Sequence, residues 1–205
     1  MDIKAIEKLT DEEWRMFQLT RNIGGRASCQ DDFAAFYMMR SAQAMAWTDE
    51  IVRCCLRDME QAKAEGRNMI AEKYAYMMQF TSPEDYFRLA FMIPSVSDEK
   101  ETLARSITEM SVRWVQQAKL RYPAIAGCGR MLHAYEDSMT DTSVETYCYG
   151  EMITHSVQTL KCIDEYYREL LAKGNNIWII TQGYLVRMLG YPSLDEAEAQ
   201  ASLKE

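Results

Sequence analysis

Residues 22–32 read Asn-Ile-Gly-Gly-Arg-Ala-Ser-Cys-Gln-Asp-Asp and separate two segments with helical periodicity. Glycine adopts positive φ without a steric penalty, so Gly24 and Gly25 are expected to end the first helix and turn the chain. Asp31 or Asp32 then precedes a long apolar run, and an aspartate accepts hydrogen bonds from the free N–H groups of a helix start. The stretch therefore predicts a helix, a polar loop and a second helix.

Outward from this loop, apolar residues recur at i, i+3 and i+4, the spacing of a buried helical face. The first helix is predicted to begin at Thr10, because Thr10 and Glu13 have the spacing of a capping box. The later helices are predicted at Asp32 to about Glu65, Met69 to about Phe80, Asp98–Arg121 with Ser97 as cap, Ser143 to about Ala172, and from Ile177 onward. We therefore expect an all-α bundle of about six main helices in a single domain spanning residues 1–205.

The two parts of the chain share an order of features. Each has a Trp-bearing helix, a loop with Gly-Arg, a long helix and a Gly-x-Asn break before a short helix. This order suggests two pseudo-two-fold related three-helix halves, at about 1–92 and 95–192, followed by a polar tail at 193–205. Residue identity between the halves is low, so coincidence is the alternative. We also predict that Gly66 and Gly174 end their helices in left-handed caps.

Composition excludes several classes of protein. The formal charge of −8, without a Lys/Arg cluster, argues against nucleic-acid binding. No apolar run reaches the about 20 residues that a membrane span needs, and the charged N-terminus does not match a signal peptide. We therefore expect a cytoplasmic protein with neither a nucleic-acid nor a membrane partner. Its pattern specifies neither a cofactor nor an oligomeric state.

The cysteines do not form a recognisable metal or disulfide pattern. No Cys-x-x-Cys pair is present, and two of the cysteines are adjacent. Free cysteine packs as a small apolar residue. The composition therefore predicts mostly reduced, buried thiols at Cys29, Cys54, Cys55, Cys128, Cys148 and Cys162.

Two motifs resemble a known family. They are Gly-Gly-Arg-Ala-Ser-Cys-Gln-Asp-Asp at 24–32, and Glu-Asp-Ser at 136–138 followed by Asp-Thr-Ser-Val-Glu-Thr-Tyr at 141–147. Together they are similar to the bacterial family known as domain of unknown function 4125, over nearly the whole chain. The resemblance implies a bacterial or archaeal origin and one compact unit. It implies no established reaction and no catalytic residues.

The Gly-Arg loops are the candidate site. Arg26 and Arg130 are expected to hold an anionic group near the N-terminal ends of the two long helices. Asp32 or Glu145 would serve as acid or base, and Cys29 would line the site or react as a thiolate. Cys29 as a small residue closing a packed loop is the alternative.

Further ligand-binding candidates surround these loops. Arg40 shares a helical stripe with aromatic residues, so it should point inward and needs a carboxylate partner from another segment. The other candidates are Gln30, Glu136 and Asp141. The arginines and carboxylates together indicate either a pocket for a small anionic molecule or a structural salt-bridge network.

Glu151 and His155 have the i, i+4 spacing of two metal ligands on a helix. No repeated Glu-x-x-His pair accompanies them, so we assign no metal site.

Two alternatives stay open for function. The chain is either a protein that binds a small anionic molecule, with or without catalysis, or a helical interaction or adaptor module. A water-accessible cavity among the site residues would favour the first, and a large apolar surface patch would favour the second.

Overall fold

The computed structural model describes residues 1–21, 25–138 and 141–203, and the regular structure within these ranges is entirely helical, without β-strands. In chain order the α-helices of these ranges are α1 Ile3–Leu19, α2 Phe33–Met45, α3 Asp49–Ala64, α4 Met69–Thr81, α5 Pro83–Leu89, α6 Asp98–Arg121, α7 Pro123–Gly127, α8 Val144–Met152, α9 Val157–Ala172, α10 Ile177–Met188 and α11 Leu194–Ser202. The all-α prediction is confirmed. The expected number of about six main helices is exceeded, because the described residues form eleven.

The long helices predicted at 32–65 and 143–172 are each divided into two helices. The first is interrupted after α2, where Thr48 caps α3 by accepting a hydrogen bond from the Ile51 N–H. The second is interrupted after α8, where Ser156 caps α9 by accepting from the Thr159 N–H. A hydroxyl at a cap position restarts a helix in a new direction. The apolar stripe continues across both turns, so periodicity alone does not reveal them.

The first helix begins earlier than predicted. Asp2 is the N-cap of α1 and accepts from the Ala5 N–H, so the helix starts at Ile3. Thr10 lies in its middle, fully buried, with its hydroxyl 3.4 Å from that of Ser41 on α2. The predicted start at Thr10 is therefore wrong.

Two glycines end helices as predicted. Gly66 follows α3 with φ +71° and Gly174 follows α9 with φ +68°. Their successors close the caps, because the Arg67 N–H donates to the Ala62 carbonyl and the Asn175 N–H donates to the Leu170 carbonyl. This is the hydrogen-bond pattern of a left-handed helix C-cap.

Two groups of helices enclose the core. One group is packed on α1, and the other is packed on α6. α1 packs against α2, α3 and α4, whereas α6 packs against α8, α9 and α10. The two groups join through α4 with α8, α2 with α10, and α3 with α9. Trp114 on α6 is almost completely buried at 1% exposure, and its ring meets that of Tyr167 on α9 edge-on.

The C-terminal residues pack against a second, smaller cluster. Leu194 and Ala197 of α11 are buried, and the Glu198 carboxylate accepts from the N–H groups of Ala124 and Ile125 at 2.8 and 2.9 Å. The predicted polar tail thus contributes buried residues and caps α7. Over the described residues, none of the helices combines the length and the apolarity that a transmembrane segment requires.

Candidate functional site

Four charged side chains from four helices form a buried cluster that we call the central charge network: Glu13, Arg40, Lys73 and Glu151. Arg40 Nε and Nη2 donate to the two carboxylate oxygens of Glu13 at 2.6 and 2.5 Å, and its Nη1 donates to Glu151 Oε1 at 3.1 Å. Lys73 Nζ donates to Glu151 Oε2 at 2.6 Å. None of the four side chains is more than 13% exposed. Two cations face two carboxylates, so the charge of the network is balanced.

Three members of the network have pKa values that are shifted towards their ionised forms. Burial acts to raise the pKa of Glu151, but Arg40 and Lys73 outweigh burial, and the pKa is lowered. Burial likewise acts to lower the pKa of Arg40 and of Lys73, but Glu13 and Glu151 raise the pKa of Arg40, and Glu151 raises that of Lys73. The shifts therefore favour the charged forms of Arg40, Lys73 and Glu151 at neutral pH. The predicted inward orientation of Arg40 and its pairing with carboxylates from other segments are confirmed.

His155 lies beside the network and contacts Asp58. His155 Nδ1 is 3.3 Å from Asp58 Oδ2, which also accepts from the Ser156 N–H at 2.9 Å. Burial acts to raise the pKa of Asp58, but the hydrogen bonds and charge of these neighbours lower it to about 2. Within the described residues, no group of three His, Cys, Asp or Glu side chains is arranged to hold a metal ion.

A small interior cavity of about 20 Å³ adjoins the network. Its walls include Arg40, Lys73 and Glu151 from the network, together with His155. This space accommodates about one water molecule, far less than an organic ligand. The network is therefore a packed interior element rather than a ligand pocket.

A larger cleft of about 230 Å³ opens along α6. We call it the α6–α8 cleft, and it is lined by Phe80, Arg105, Thr108, Glu109, Val112, Arg113, Gln116, His133, Glu145 and Tyr149. Its apolar wall comes from α4, α6 and α8, whereas its charged side chains come from α6, α8 and the loop before α8. This combination of an apolar wall with a few polar groups is typical of small-molecule sites.

The two arginines of the cleft differ in how firmly they are paired. Arg105 donates to Glu101 at 2.6 Å and lies over the ring of Tyr149, with its guanidinium carbon 5.1 Å from the ring centroid. Arg113 has a looser contact, because its Nη2 is 3.9 Å from Glu109 and both side chains are about 70% exposed. Arg113 is thus the more available of these two cations.

A histidine–carboxylate pair lies at the other side of the cleft. His133 Nδ1 is 3.4 Å from Glu145 Oε2, and both side chains are about 40% exposed. The same carboxylate oxygen accepts from the Ala134 N–H at 2.9 Å. Glu145 is thus the one predicted catalytic residue that borders either of the two cavities described above.

In the first loop, Arg26 and Gln30 tie the chain to α1. Arg26 donates to Asp31 at 2.7 Å through Nε, and its Nη2 donates to the Gln18 side chain and to the Gln30 carbonyl. The Gln30 amide is buried and donates to the Phe17 carbonyl at 2.8 Å. These contacts give both residues a structural role.

Cys29 and Asp32 lie at the end of the first loop, next to α2. Cys29 is exposed in a 3₁₀ turn at Ser28–Gln30, outside the first turn of α2. Asp32 is the N-cap of α2, as predicted, and accepts from the Ala35 N–H at 3.0 Å. Gly25 has φ +93°, whereas the turn predicted at Gly24 lies outside the described residues.

In the second loop, Arg130 and Glu136 also bond locally. Arg130 Nη1 donates to the Thr142 carbonyl at 3.0 Å, and its guanidinium carbon is 4.4 Å from the centroid of the Tyr147 ring. Glu136 accepts from the His133 N–H at 2.9 Å. The Asp141 N–H donates to the Ser138 hydroxyl at 3.0 Å. These bonds order the loop on either side of residues 139–140, which lie outside the described ranges.

Groups from both loops act electrostatically on one tyrosine of α4, Tyr74. Burial raises the pKa of Tyr74, and nearby charges modify it: Arg130 lowers it and Cys29 raises it. Neither Cys29 nor Arg130 lines the cleft or the interior cavity. Of the nine predicted site residues, Glu145 borders the cleft and Arg40 borders the interior cavity, and the other seven line neither.

Several side chains of these sites were not predicted. Arg105, Glu109, Arg113 and Gln116 recur at spacings of three or four residues, which marks one polar face of α6. That face was the available signal for the cleft. Glu13 was interpreted as part of a capping box, so its interior position was missed.

Two of the six cysteines depart from the predicted burial. Cys29 and Cys128 are exposed, whereas Cys54 and Cys55 are buried and Cys148 and Cys162 are half-buried. All six are free thiols. The expected burial is thus complete for two cysteines and partial for two more.

Fold and site together define an all-helical protein with a balanced buried charge network and a mixed polar and apolar surface cleft. The chain belongs to a family described as a protein of unknown function, DUF4125, whose model matches residues 3–199. This confirms the resemblance drawn from the two loop motifs. Comparisons with curated proteins and with solved structures gave no significant match.

Proposed function

We propose that the protein binds a small anionic molecule in the α6–α8 cleft. The observation that carries this proposal is Arg113, an exposed guanidinium at a cleft of about 230 Å³ with only a 3.9 Å contact to Glu109. An exposed ion pair contributes about 0–1 kcal/mol, so a carboxylate or phosphate displaces Glu109 at little cost. A planar guanidinium can then bind the anion with two parallel hydrogen bonds.

The remaining lining supports a ligand with an apolar part. Phe80 and Val112 provide apolar surface, and Tyr149 is held in place by Arg105 and Glu101. The His133–Glu145 pair can accept or donate a proton at the edge of the cleft. It would supply the acid–base role predicted for Glu145 if the ligand is also a substrate.

This proposal moves the anion site from the loops to the cleft. Arg26 and Arg130 already donate to groups in their own loops. An arriving anion would have to break these bonds, whereas at Arg113 it replaces a long, solvent-exposed contact. The second loop keeps a positioning role, since it contains His133 and leads into α8, which carries Glu145.

The test is ligand-induced thermal stabilisation followed by calorimetry. Inorganic phosphate, aliphatic mono- and dicarboxylates and aromatic carboxylates would be screened against the wild type. Arg113→Gln should weaken binding of the best anion about tenfold or more, as expected for a lost charged hydrogen bond. Arg88→Gln is the matched control, because Arg88 is 73% exposed and pairs with an acidic residue on its own helix away from the cleft. No stabilisation by any anion, or equal binding by both variants, would reject the proposal.

Two paired features support the finer proposal of an internal duplication. Asn68 and Asn176 each cap the helix after a left-handed glycine. Each donates through Nδ2 to a carbonyl of the Trp-bearing helix in its own half, Met16 of α1 at 2.7 Å and Trp114 of α6 at 2.9 Å. The packing of α1 on α2, α3 and α4 parallels that of α6 on α8, α9 and α10. We propose that each half contains four such helices rather than the three expected.

A second candidate function is that of an interaction module. Phe87, Phe91 and Met92 lie within six residues of one another and are 84%, 84% and 74% exposed. Large apolar side chains clustered at a surface often mark a protein contact. A partner captured by the wild type and by Arg113→Gln, but lost on Phe87→Ser, would favour this candidate.

A cytoplasmic location is proposed for either function, since six free thiols suit a reducing compartment.

A further inference from the structure

Two cysteines from distant parts of the chain meet inside the helical core. Cys54 on α3 and Cys162 on α9 are 108 positions apart, and their sulfur atoms are 3.8 Å from each other. Both are free thiols. This is the one contact between cysteine sulfurs among the described residues, which include all six cysteines.

Polar groups surround the pair. Arg57 Nη2 lies 2.9 Å from the Cys54 sulfur, and Gln158 Nε2 lies 3.7 Å from the Cys162 sulfur. The Cys54 thiol is also 3.5 Å from a carboxylate oxygen of Glu50. Guanidinium and amide N–H groups stabilise a thiolate, so each sulfur has a donor within reach.

The two thiols differ in access. Cys54 is 1% exposed, whereas Cys162 is half-buried and reaches the surface of α9. A small oxidant in solvent therefore reaches Cys162 first, and the Cys54 thiol lies next to it. An accessible cysteine next to a second, resolving cysteine is the arrangement of a redox-sensitive site.

We propose that Cys54 and Cys162 form a peroxide-sensitive dithiol that closes to a disulfide between α3 and α9. In the first step the Cys162 sulfur attacks the terminal oxygen of a hydroperoxide, an S–O bond forms and the O–O bond breaks. Cys162 becomes a sulfenic acid, and the leaving oxygen takes up the thiol proton and departs as an alcohol or water. In the second step the Cys54 sulfur attacks the sulfenic sulfur, the S–O bond breaks and water leaves with the Cys54 proton. Two thiols lose two electrons in total, and the peroxide gains them.

The surroundings also determine the speed of the reaction. Burial and the neighbouring Cys162 raise the pKa of Cys54 to about 12, and Arg57 only partly opposes this shift. Thiolates are the reactive form, so the second step is slow at neutral pH. The disulfide therefore forms under sustained exposure to peroxide, and a reducing cytoplasm keeps the two cysteines in the dithiol form.

Closure would join the two groups of helices covalently. α3 packs on α1, α9 packs on α6, and the contact between α3 and α9 lies at the boundary of the two groups. Neither cysteine lines the α6–α8 cleft, so this proposal does not depend on the proposed ligand. Its effect is to restrain how the two groups of helices separate.

The experiment uses the full-length reduced protein and hydrogen peroxide. After treatment, free thiols are blocked with N-ethylmaleimide, and intact mass and peptide mapping follow. The expected result is a protein that carries two fewer maleimide adducts than the reduced control, together with a Cys54–Cys162 cross-linked peptide, and dithiothreitol before blocking should reverse both. Unmodified Cys54 and Cys162, or cross-links that involve other cysteines instead, would overturn the proposal.

Variants separate the two steps. Cys54→Ser should accumulate a sulfenic acid at Cys162 that dimedone traps, whereas Cys162→Ser should prevent the cross-link. Cys148→Ser is the matched control, because Cys148 is also half-buried and free, and it should leave the cross-link unchanged. Dimedone labelling at Cys54 rather than at Cys162 in the single variants would contradict the order of steps. If a variant fails to fold, as judged by circular dichroism, the wild-type peptide map decides alone.

Discussion

Replacing Arg40 with methionine tests whether the central charge network stabilises the fold. Arg40 is the cationic partner of Glu13 at 2.5 Å and one of two cationic partners of Glu151. The variant Arg40→Met keeps much of the volume but leaves Glu13 as a buried carboxylate without a cation. Glu151 keeps Lys73 at 2.6 Å. The penalty therefore falls mainly on Glu13.

The expected loss of stability depends on whether one or both partners of the Arg40–Glu13 ion pair are replaced. Removing one partner of a buried ion pair costs about 3–5 kcal/mol, because the other charge stays desolvated. Replacing both partners with apolar residues is often close to neutral. We therefore expect Arg40→Met to lose about 3–5 kcal/mol of unfolding free energy, and the double variant Arg40→Met with Glu13→Leu to recover part of that loss.

Urea unfolding at neutral pH, followed by circular dichroism and by tryptophan fluorescence, measures these values when the two probes coincide. Arg53→Met is the control, since Arg53 is about half exposed and forms its ion pair with Glu50 on its own helix. Its cost should stay below about 1 kcal/mol. An Arg40→Met cost as small as that of Arg53→Met, or a double variant less stable than Arg40→Met, would refute the reasoning.

Two further predictions concern a close helix contact and acid stability. A methyl group at Gly150 would lie 2.5 Å from Met77 Cγ and 3.0 Å from the Lys73 carbonyl, so Gly150→Ala should lose about 1–3 kcal/mol of stability in urea, whereas Gly183→Ala, with open space around it, should gain about 0.5–1 kcal/mol. The folded pKa of Asp58, about 2 against an ordinary 3.8, adds about 2 kcal/mol of stability that is complete above pH 4 and lost as the pH falls towards 2. The stability difference between wild type and Asp58→Asn should shrink over that interval, and a constant difference would contradict the assigned pKa.

Local signals predicted much of the helical framework. Gly66 and Gly174 were recognised as left-handed caps because glycine alone avoids the steric penalty of positive φ, and their sequence neighbours complete the motif. Ser97 was recognised as the cap of α6 for a similar local reason. The turns at Thr48 and Ser156 were missed because the apolar period runs through them, even though both have a capping side chain.

The central charge network and the α6–α8 cleft were less predictable, because the residues of each come from separate helices. Arg40 was expected to need a carboxylate, since a guanidinium on an apolar stripe must be paired. Glu13 was not identified as that partner, because nothing local distinguishes a carboxylate that caps a helix from one that faces the core. The cleft likewise depends on how α4, α6 and α8 pack, which periodicity does not specify.

By itself, the sequence determined the all-helical class, the family, the glycine caps and the inward direction of Arg40. These features follow from interactions within a few residues or from the free energy of burying a charge. Only the tertiary structure decided that Arg40 meets Glu13 and Glu151, that Cys54 meets Cys162, and that a cleft opens beside Arg113. The physical reason is that such contacts join positions about 30 to more than 100 residues apart, and their geometry depends on the packing of whole helices.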